Sequence, residues 1–84
     1  MEWVHMTDEE FSAAVKKIRR ETKYYKSIRG CIFDGFCAMV LHDRSSEQYI
    51  YMEEWPHLSP PQSVTREQFQ ILKKELRKLD MAKG

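Results

Sequence analysis

The same helix-start pattern occurs near both ends of this 84-residue chain. Thr7 is followed three residues later by Glu10, and Thr65 by Gln68. This is capping-box spacing, in which the hydroxyl accepts a bond from the third backbone amide and the longer side chain reaches back. Apolar residues then recur every three or four positions, with basic residues on the opposite side. The pattern predicts two amphipathic helices, over residues 7–25 and 65–81.

Between these helices the apolar pattern changes to a period of two. Asp34-Gly35, flanked by short apolar runs, predicts a tight hairpin because both residues tolerate positive φ. With a second turn at 43–46, it predicts three strands within 28–54. A buried helix over 32–41 is the alternative, and Gly35 in its interior counts against it. The proline-rich stretch 55–64 is predicted to be a loop, and residues 1–5 an N-terminal arm.

The expected fold is therefore one α+β domain over 1–84, in the order α-β-β-β-α. A three-stranded antiparallel meander would be flanked by the two helices. This order is similar to that of double-stranded RNA-binding domains. Such domains carry a lysine cluster where this chain has Thr65-Arg66-Glu67-Gln68. The resemblance is therefore one of element order, and no binding residue is transferred from it.

The hairpin register sorts side chains onto two faces, because paired residues share a face. One face is aliphatic and collects Ile28, Ile32, Cys37, Met39 and Leu41. The other is aromatic and collects Arg29, Cys31, Phe33, Phe36, Ala38, Val40 and His42. If His42 pairs with Glu47, then Tyr49, Tyr51 and Glu53 join the aromatic face. A five-residue loop would swap the third strand's faces, and the sequence leaves both registers open.

Under the first register we expect both helices to cover the aliphatic face, which leaves the aromatic face without a cover. An exposed aromatic patch is typical of an interaction site. The alternative is that the N-terminal arm or the proline-rich loop folds over it. The prediction is a non-enzymatic protein–protein interaction module, an inhibitor or adaptor, that binds a partner protein or a second copy of itself. The expected protein-binding residues are Arg29, Phe33, Phe36, Tyr49, Tyr51 and Glu53.

The alternative function is RNA or DNA binding by the first helix. From Lys16 to Arg29 the chain has seven basic residues and one acidic residue, although its net charge is only +1. Basic residues beside tyrosines can contact phosphates and stack on bases. The alternative is that these basic residues form a solvated helix face and bind nothing. The candidate nucleic-acid-binding residues are Lys16, Lys17, Arg19, Arg20, Lys23 and Lys26.

The sequence predicts no catalytic, cofactor or metal site. Cys31, Cys37 and His42 match no common zinc spacing, and the hairpin register points the two cysteines to opposite faces. Glu53 and Glu54 are strand neighbours and would face opposite ways. We therefore expect neither a small-molecule substrate nor a cofactor. Two cysteines and no long apolar run predict an intracellular, cytoplasmic protein without a membrane partner.

Overall fold

The structure is a computed structural model that describes residues 3–27, 36–55 and 60–83. Two helices and a four-stranded mixed sheet form the described part, which confirms the α+β class. In chain order the elements are β1 (Val4–His5), α1 (Asp8–Ser27), β2 (Cys37–Asp43), β3 (Gln48–Trp55), β4 (Gln62–Val64) and α2 (Arg66–Lys83).

Both helices begin with the capping box that the sequence predicts. The Glu10 amide donates to the Thr7 hydroxyl oxygen at 3.1 Å, and the Thr7 amide donates to the Glu10 carboxylate at 3.0 Å. The Thr65–Gln68 pair repeats this geometry, with both distances at 3.0 Å. No helix in the described ranges is long and apolar enough to cross a membrane.

The sheet departs from the predicted three-stranded antiparallel meander. Its strand order is β1-β4-β3-β2, and β1 runs parallel to β4 while the other neighbours are antiparallel. The predicted N-terminal arm contributes β1, and the predicted proline-rich loop contributes β4. These strands are only two and three residues long, too short to show a period-two pattern. The predicted first strand and its Asp34-Gly35 hairpin lie outside the described residues.

The pairing of β2 with β3 differs by two residues from the first of the two registers that the sequence leaves open. His42 pairs with Tyr49 rather than with Glu47. A shift of two preserves which residues share a face, because side chains alternate with period two. The second turn forms as expected: the Asp43 carboxylate accepts bonds from Ser45 and Ser46. These hydrogen bonds lower the pKa of Asp43.

The helices cover the aromatic face, which corrects the prediction that they cover the aliphatic one. Phe36 and Tyr51 are 4% and 3% exposed and belong to the same core cluster as Ile18 of α1 and Leu72 of α2. On the opposite face Met39 is 41% exposed. The large rings fill the space between sheet and helices, and this burial could not be read from alternation alone. The same core cluster also contains Met6, Ala14, Val15, Tyr25, Val64, Phe69 and Leu79.

The strand–helix units β1–α1 and β4–α2 lie side by side. β1 pairs in parallel with β4 at a constant offset of 58 residues, as in Val4 with Gln62. The capping boxes are separated by the same 58 residues, so α1 and α2 begin at the same end of the sheet. Near their middles, Arg19 of α1 contacts Glu75 of α2. The two helices therefore run in the same direction along one face of the sheet.

Candidate nucleic-acid interface

The predicted protein-binding residues do not form an exposed patch in the described part of the chain. Arg29 and Phe33 lie outside the described residues. Phe36 and Tyr51 are core residues, which contradicts the prediction that their face is uncovered. Tyr49 is half-buried between the His42 ring, at a centroid distance of 4.4 Å, and the Phe69 ring, at 4.8 Å.

Glu53, the last predicted contact residue, joins the sheet to α1. Its carboxylate accepts a hydrogen bond from the Tyr51 hydroxyl at 2.9 Å and pairs with the Lys17 ammonium at 3.2 Å. Burial, followed by the charge of Glu53, raises the pKa of Tyr51 above its ordinary value. Lys17 also lies 5.6 Å from the centre of the Phe36 ring. The Lys17 side chain therefore packs against the sheet. It is the one predicted nucleic-acid-binding residue whose side chain does not project from the exposed face of α1.

The other five predicted nucleic-acid-binding residues all lie exposed on α1. Helical spacing places Lys16, Arg20 and Lys23 within one 60° arc, because successive residues are rotated by about 100°. Arg19 and Lys26 both lie to one side of this arc. Arg19 and Arg20 contact acidic groups, yet their side chains remain 63% and 73% exposed. The described part of the chain gives Lys16, Lys23 and Lys26 no ion-pair partner.

The second helix supplies further cations that the sequence analysis missed. Lys74, Arg77 and Lys78 are exposed on α2, and Arg77 lies on the side toward β2, where it lines a cleft with Met39 and Asp80. The signal that could have found them is the 58-residue offset, which relates Lys16 to Lys74 and Arg19 to Arg77. We define the cationic helix surface as Lys16, Arg19, Arg20, Lys23 and Lys26 of α1 with Lys74, Arg77 and Lys78 of α2.

Glu75 lies at the centre of this surface but below it. Its side chain is 5% exposed, and one carboxylate oxygen lies 3.2 Å from the Arg19 guanidinium and 3.5 Å from the Lys78 ammonium. Burial alone would raise the pKa of Glu75, but the hydrogen bonds and charges of Arg19 and Lys78 outweigh it, and the pKa is lowered. Glu75 belongs to α2, so its contact with Arg19 joins the two helices, while Lys78 approaches it from the same helix. The carboxylate itself is almost completely buried.

The described residues offer little for metal or nucleophile chemistry. They contain no group of three or more histidine, cysteine or acidic side chains placed to hold a metal ion. Cys37 is exposed, and its thiol lies 3.9 Å from the Glu54 carboxylate. Cys31, the other cysteine, lies outside the described residues.

A small open cleft of about 230 Å³ separates the N-terminal half of α1 from the sheet. The polar groups that line it already bond to one another. Gln62 donates to Glu10 at 3.0 Å, and Glu53 binds Lys17 and Tyr51. These contacts join α1 to β3 and β4, which positions the helix and hence its cations.

Comparison with protein-family models, with curated proteins and with solved structures finds no match. The function is therefore argued from the chain's own geometry.

Proposed function

We propose that this protein is a small nucleic-acid-binding module whose contact area is the cationic helix surface. One observation carries the proposal: all eight basic side chains of this surface are exposed, whereas the acidic residues that lie between them along the helices, Glu21 and Glu75, are largely buried, and the exposed Asp80 lies beyond them. Of the two acidic residues in 16–26 and 73–78, Glu75 is buried and Glu21 has a side chain only 13% exposed. The outward field of the two helices is therefore positive, although the whole chain has a net charge of only +1.

The distribution of charge over the chain supports the same proposal. The two helices carry twelve of the fourteen lysines and arginines but seven of the thirteen acidic residues. Four of those seven occupy the first turns of α1 and α2. Acidic side chains at the N-terminal end of a helix interact favourably with its dipole, and these four lie away from Lys23 and Lys26. Phosphates are the polyanions that such a separated cationic surface attracts most strongly.

The expected strength of salt dependence follows from the number of cations. If five of the eight cations each neutralise one phosphate, log K falls with log salt at a slope of about −4.5 on duplex DNA. Binding should then weaken by roughly 500-fold between 50 and 200 mM salt. A protein interface without charge pairing changes little over this range.

The test is fluorescence anisotropy with a labelled 20-bp DNA duplex, titrated with the protein at several salt concentrations. The variant Lys16→Gln/Lys23→Gln removes two exposed, unpaired cations. We expect it to weaken binding and to reduce the magnitude of the salt slope by about 2. The matched control is Arg44→Gln/Arg66→Gln, which removes the same charge from the turn after β2 and from the start of α2.

The two variants separate a local surface from general attraction. Equal losses in both would mean that net charge alone controls binding, and would refute the assignment to the helices. If the wild-type protein binds no nucleic acid at 50 mM salt, the proposed function itself is wrong.

A second candidate function is the protein–protein interaction predicted from the sequence, moved to the other face of the sheet. The supporting observation is that Met39 and Leu41, neighbours on the aliphatic face of β2, are 41% and 37% exposed. Light scattering tests self-association: a homodimer would give about 20 kDa, twice the chain mass of 10.1 kDa. Met39→Lys should then restore the monomer. A monomeric wild type would leave only a different protein as the partner of this face.

A further inference from the structure

We infer that the nucleic acid bound by the cationic helix surface is double-stranded, with one helix following the phosphates of each strand. This inference rests on the proposed function and specifies its ligand. The observation behind it is that the 58-residue offset, which relates β1 to β4 and one capping box to the other, also relates basic residues of the two helices. It relates Lys16 to Lys74 and Arg20 to Lys78, so equivalent cations recur on the two helices.

The parallel side-by-side packing of α1 and α2 turns this offset into two rows of cations. In each helix the equivalent residues lie opposite the core, because the core positions Ile18 and Leu76 obey the same offset. One row is Lys16, Arg20 and Lys23 on α1, and the other is Lys74 and Lys78 on α2. Packed helix axes are separated by about 8–10 Å. The rows are therefore parallel and about that far apart at their bases.

The spacing of the two rows fits two phosphate strands better than one. The minor groove of B-DNA is about 6 Å wide, so the phosphates at its edges lie within reach of long side chains on axes about 8–10 Å apart. Along α1, Lys16 to Lys23 covers about 10 Å, or roughly three phosphates of one strand, and Lys74 to Lys78 covers about 6 Å, or roughly two. A lone flexible strand could fill one row at a time and would leave the other without phosphates.

The buried Glu75 of α2 links the two helices that carry the rows. It binds Arg19 from α1 and Lys78 from α2 through one carboxylate oxygen. The carboxylate is buried, whereas the Arg19 and Lys78 side chains remain 63% and 51% exposed. A two-row surface of this kind matches a rigid duplex, and its lysines and arginines would contact phosphates whatever the base sequence. Binding should therefore depend on backbone shape and little on base sequence.

The experiment compares two variants that each remove two cations. Lys16→Gln/Arg20→Gln empties the α1 row, and Lys74→Gln/Lys78→Gln empties the α2 row. Anisotropy is measured with a 16-bp DNA duplex, a 16-bp RNA duplex and a 16-nucleotide single strand at 50–200 mM salt. Circular dichroism melting checks that each variant is folded. The control is again Arg44→Gln/Arg66→Gln.

For the wild type we expect at least about 10-fold tighter binding to one duplex than to the single strand. Emptying either row should reduce the duplex salt slope by about 2. Whichever duplex binds more tightly identifies DNA or RNA as the source of the two strands. Loss confined to the α1 row, or equal affinity for single strand and duplex, would overturn the two-strand inference while leaving nucleic-acid binding intact. Failure to bind all three probes would refute the proposed function as well.

Discussion

Tyr51 gives the most direct test of which face of the sheet the helices cover. Its side chain is 3% exposed, and its hydroxyl donates to Glu53 at 2.9 Å. Tyr51→Phe removes that hydrogen bond but keeps the ring. Hydrogen bonds to charged groups contribute about 1.5–3 kcal/mol. Because Glu53 retains Lys17 and a side-chain exposure of 17%, we expect a loss near the lower end, about 1–2 kcal/mol.

Tyr51→Ala should cost considerably more, because the ring leaves a cavity in the core. Replacing a buried aromatic residue by alanine costs about 3–5 kcal/mol, and the lost hydrogen bond brings the total to about 4–7 kcal/mol. A domain of this length is typically stable by roughly 4–13 kcal/mol. The alanine variant should therefore lose roughly a third to all of this stability.

Urea unfolding followed by far-ultraviolet circular dichroism measures both variants. Tyr49→Phe is the control, because the Tyr49 hydroxyl makes no hydrogen bond within the described residues. A double-mutant cycle with Glu53→Gln isolates the hydroxyl–carboxylate pair. A loss below about 1 kcal/mol for Tyr51→Ala would refute the burial of this ring and restore the exposed aromatic face predicted from the sequence.

The raised pKa of Tyr51 adds a pH dependence with a definite sign. Folding favours the neutral phenol, so its contribution to stability is complete below the unfolded pKa of about 10. It is lost as the pH rises from there toward the folded pKa. The difference in unfolding free energy between wild type and Tyr51→Phe should therefore shrink above pH 10. A difference that stays constant between pH 9 and 11 would contradict the reasoning.

Three further predictions concern the helices. Glu75→Gln should lower stability by about 1–2 kcal/mol at pH 7, because Arg19 loses its charged acceptor. The lowered Glu75 pKa means this contribution is present above the unfolded value of about 4.3 and lost as the pH falls through the folded pKa. The gap between wild type and variant in thermal melts should therefore narrow as the pH falls below about 4.3, and a constant gap would contradict the ion pair. Thr65→Ala removes an N-cap and should cost about 1 kcal/mol in urea unfolding, whereas no loss would mean that the cap is dispensable. Leu72→Ala opens a cavity at a fully buried site and should cost about 2–5 kcal/mol in the same assay, and a smaller loss would mean that the site collapses.

The helices were predictable because their start signals are local. Thr7 and Thr65 each need only a partner three residues away, so the capping boxes can be read without knowing the fold. The structure starts each helix one residue after the predicted position and ends it two residues beyond the predicted end. Helix ends depend on small differences in fraying, which accounts for disagreements of this size.

The short strands and the covered face were not predictable for a different reason. β1 and β4 form because Val4 and His5 pair with residues 58 positions away, and neither segment contains a recognisable period. Alternation correctly grouped Tyr51 with Val40, which pair in the sheet. It could not decide which group faces the helices, because both groups are apolar. That choice depends on which side chains fill the volume between the sheet and the helices, which is a property of the assembled core.

The candidate site shows how far composition can mislead about electrostatics. A net charge of +1 indicated no preferred partner, yet the acidic residues that produce this near-balance are distributed unequally in space. Those in the first helical turns serve the helix dipole, and Glu75 is buried beneath Arg19 and Lys78. Glu75 offsets part of the charge of Arg19 and Lys78, whereas Lys16, Lys23 and Lys26 have no acidic partner in the described part of the chain. The exposed acidic residues of the two helices lie toward their ends, at 8–10, 67 and 80, so a phosphate above the cationic helix surface meets a positive excess.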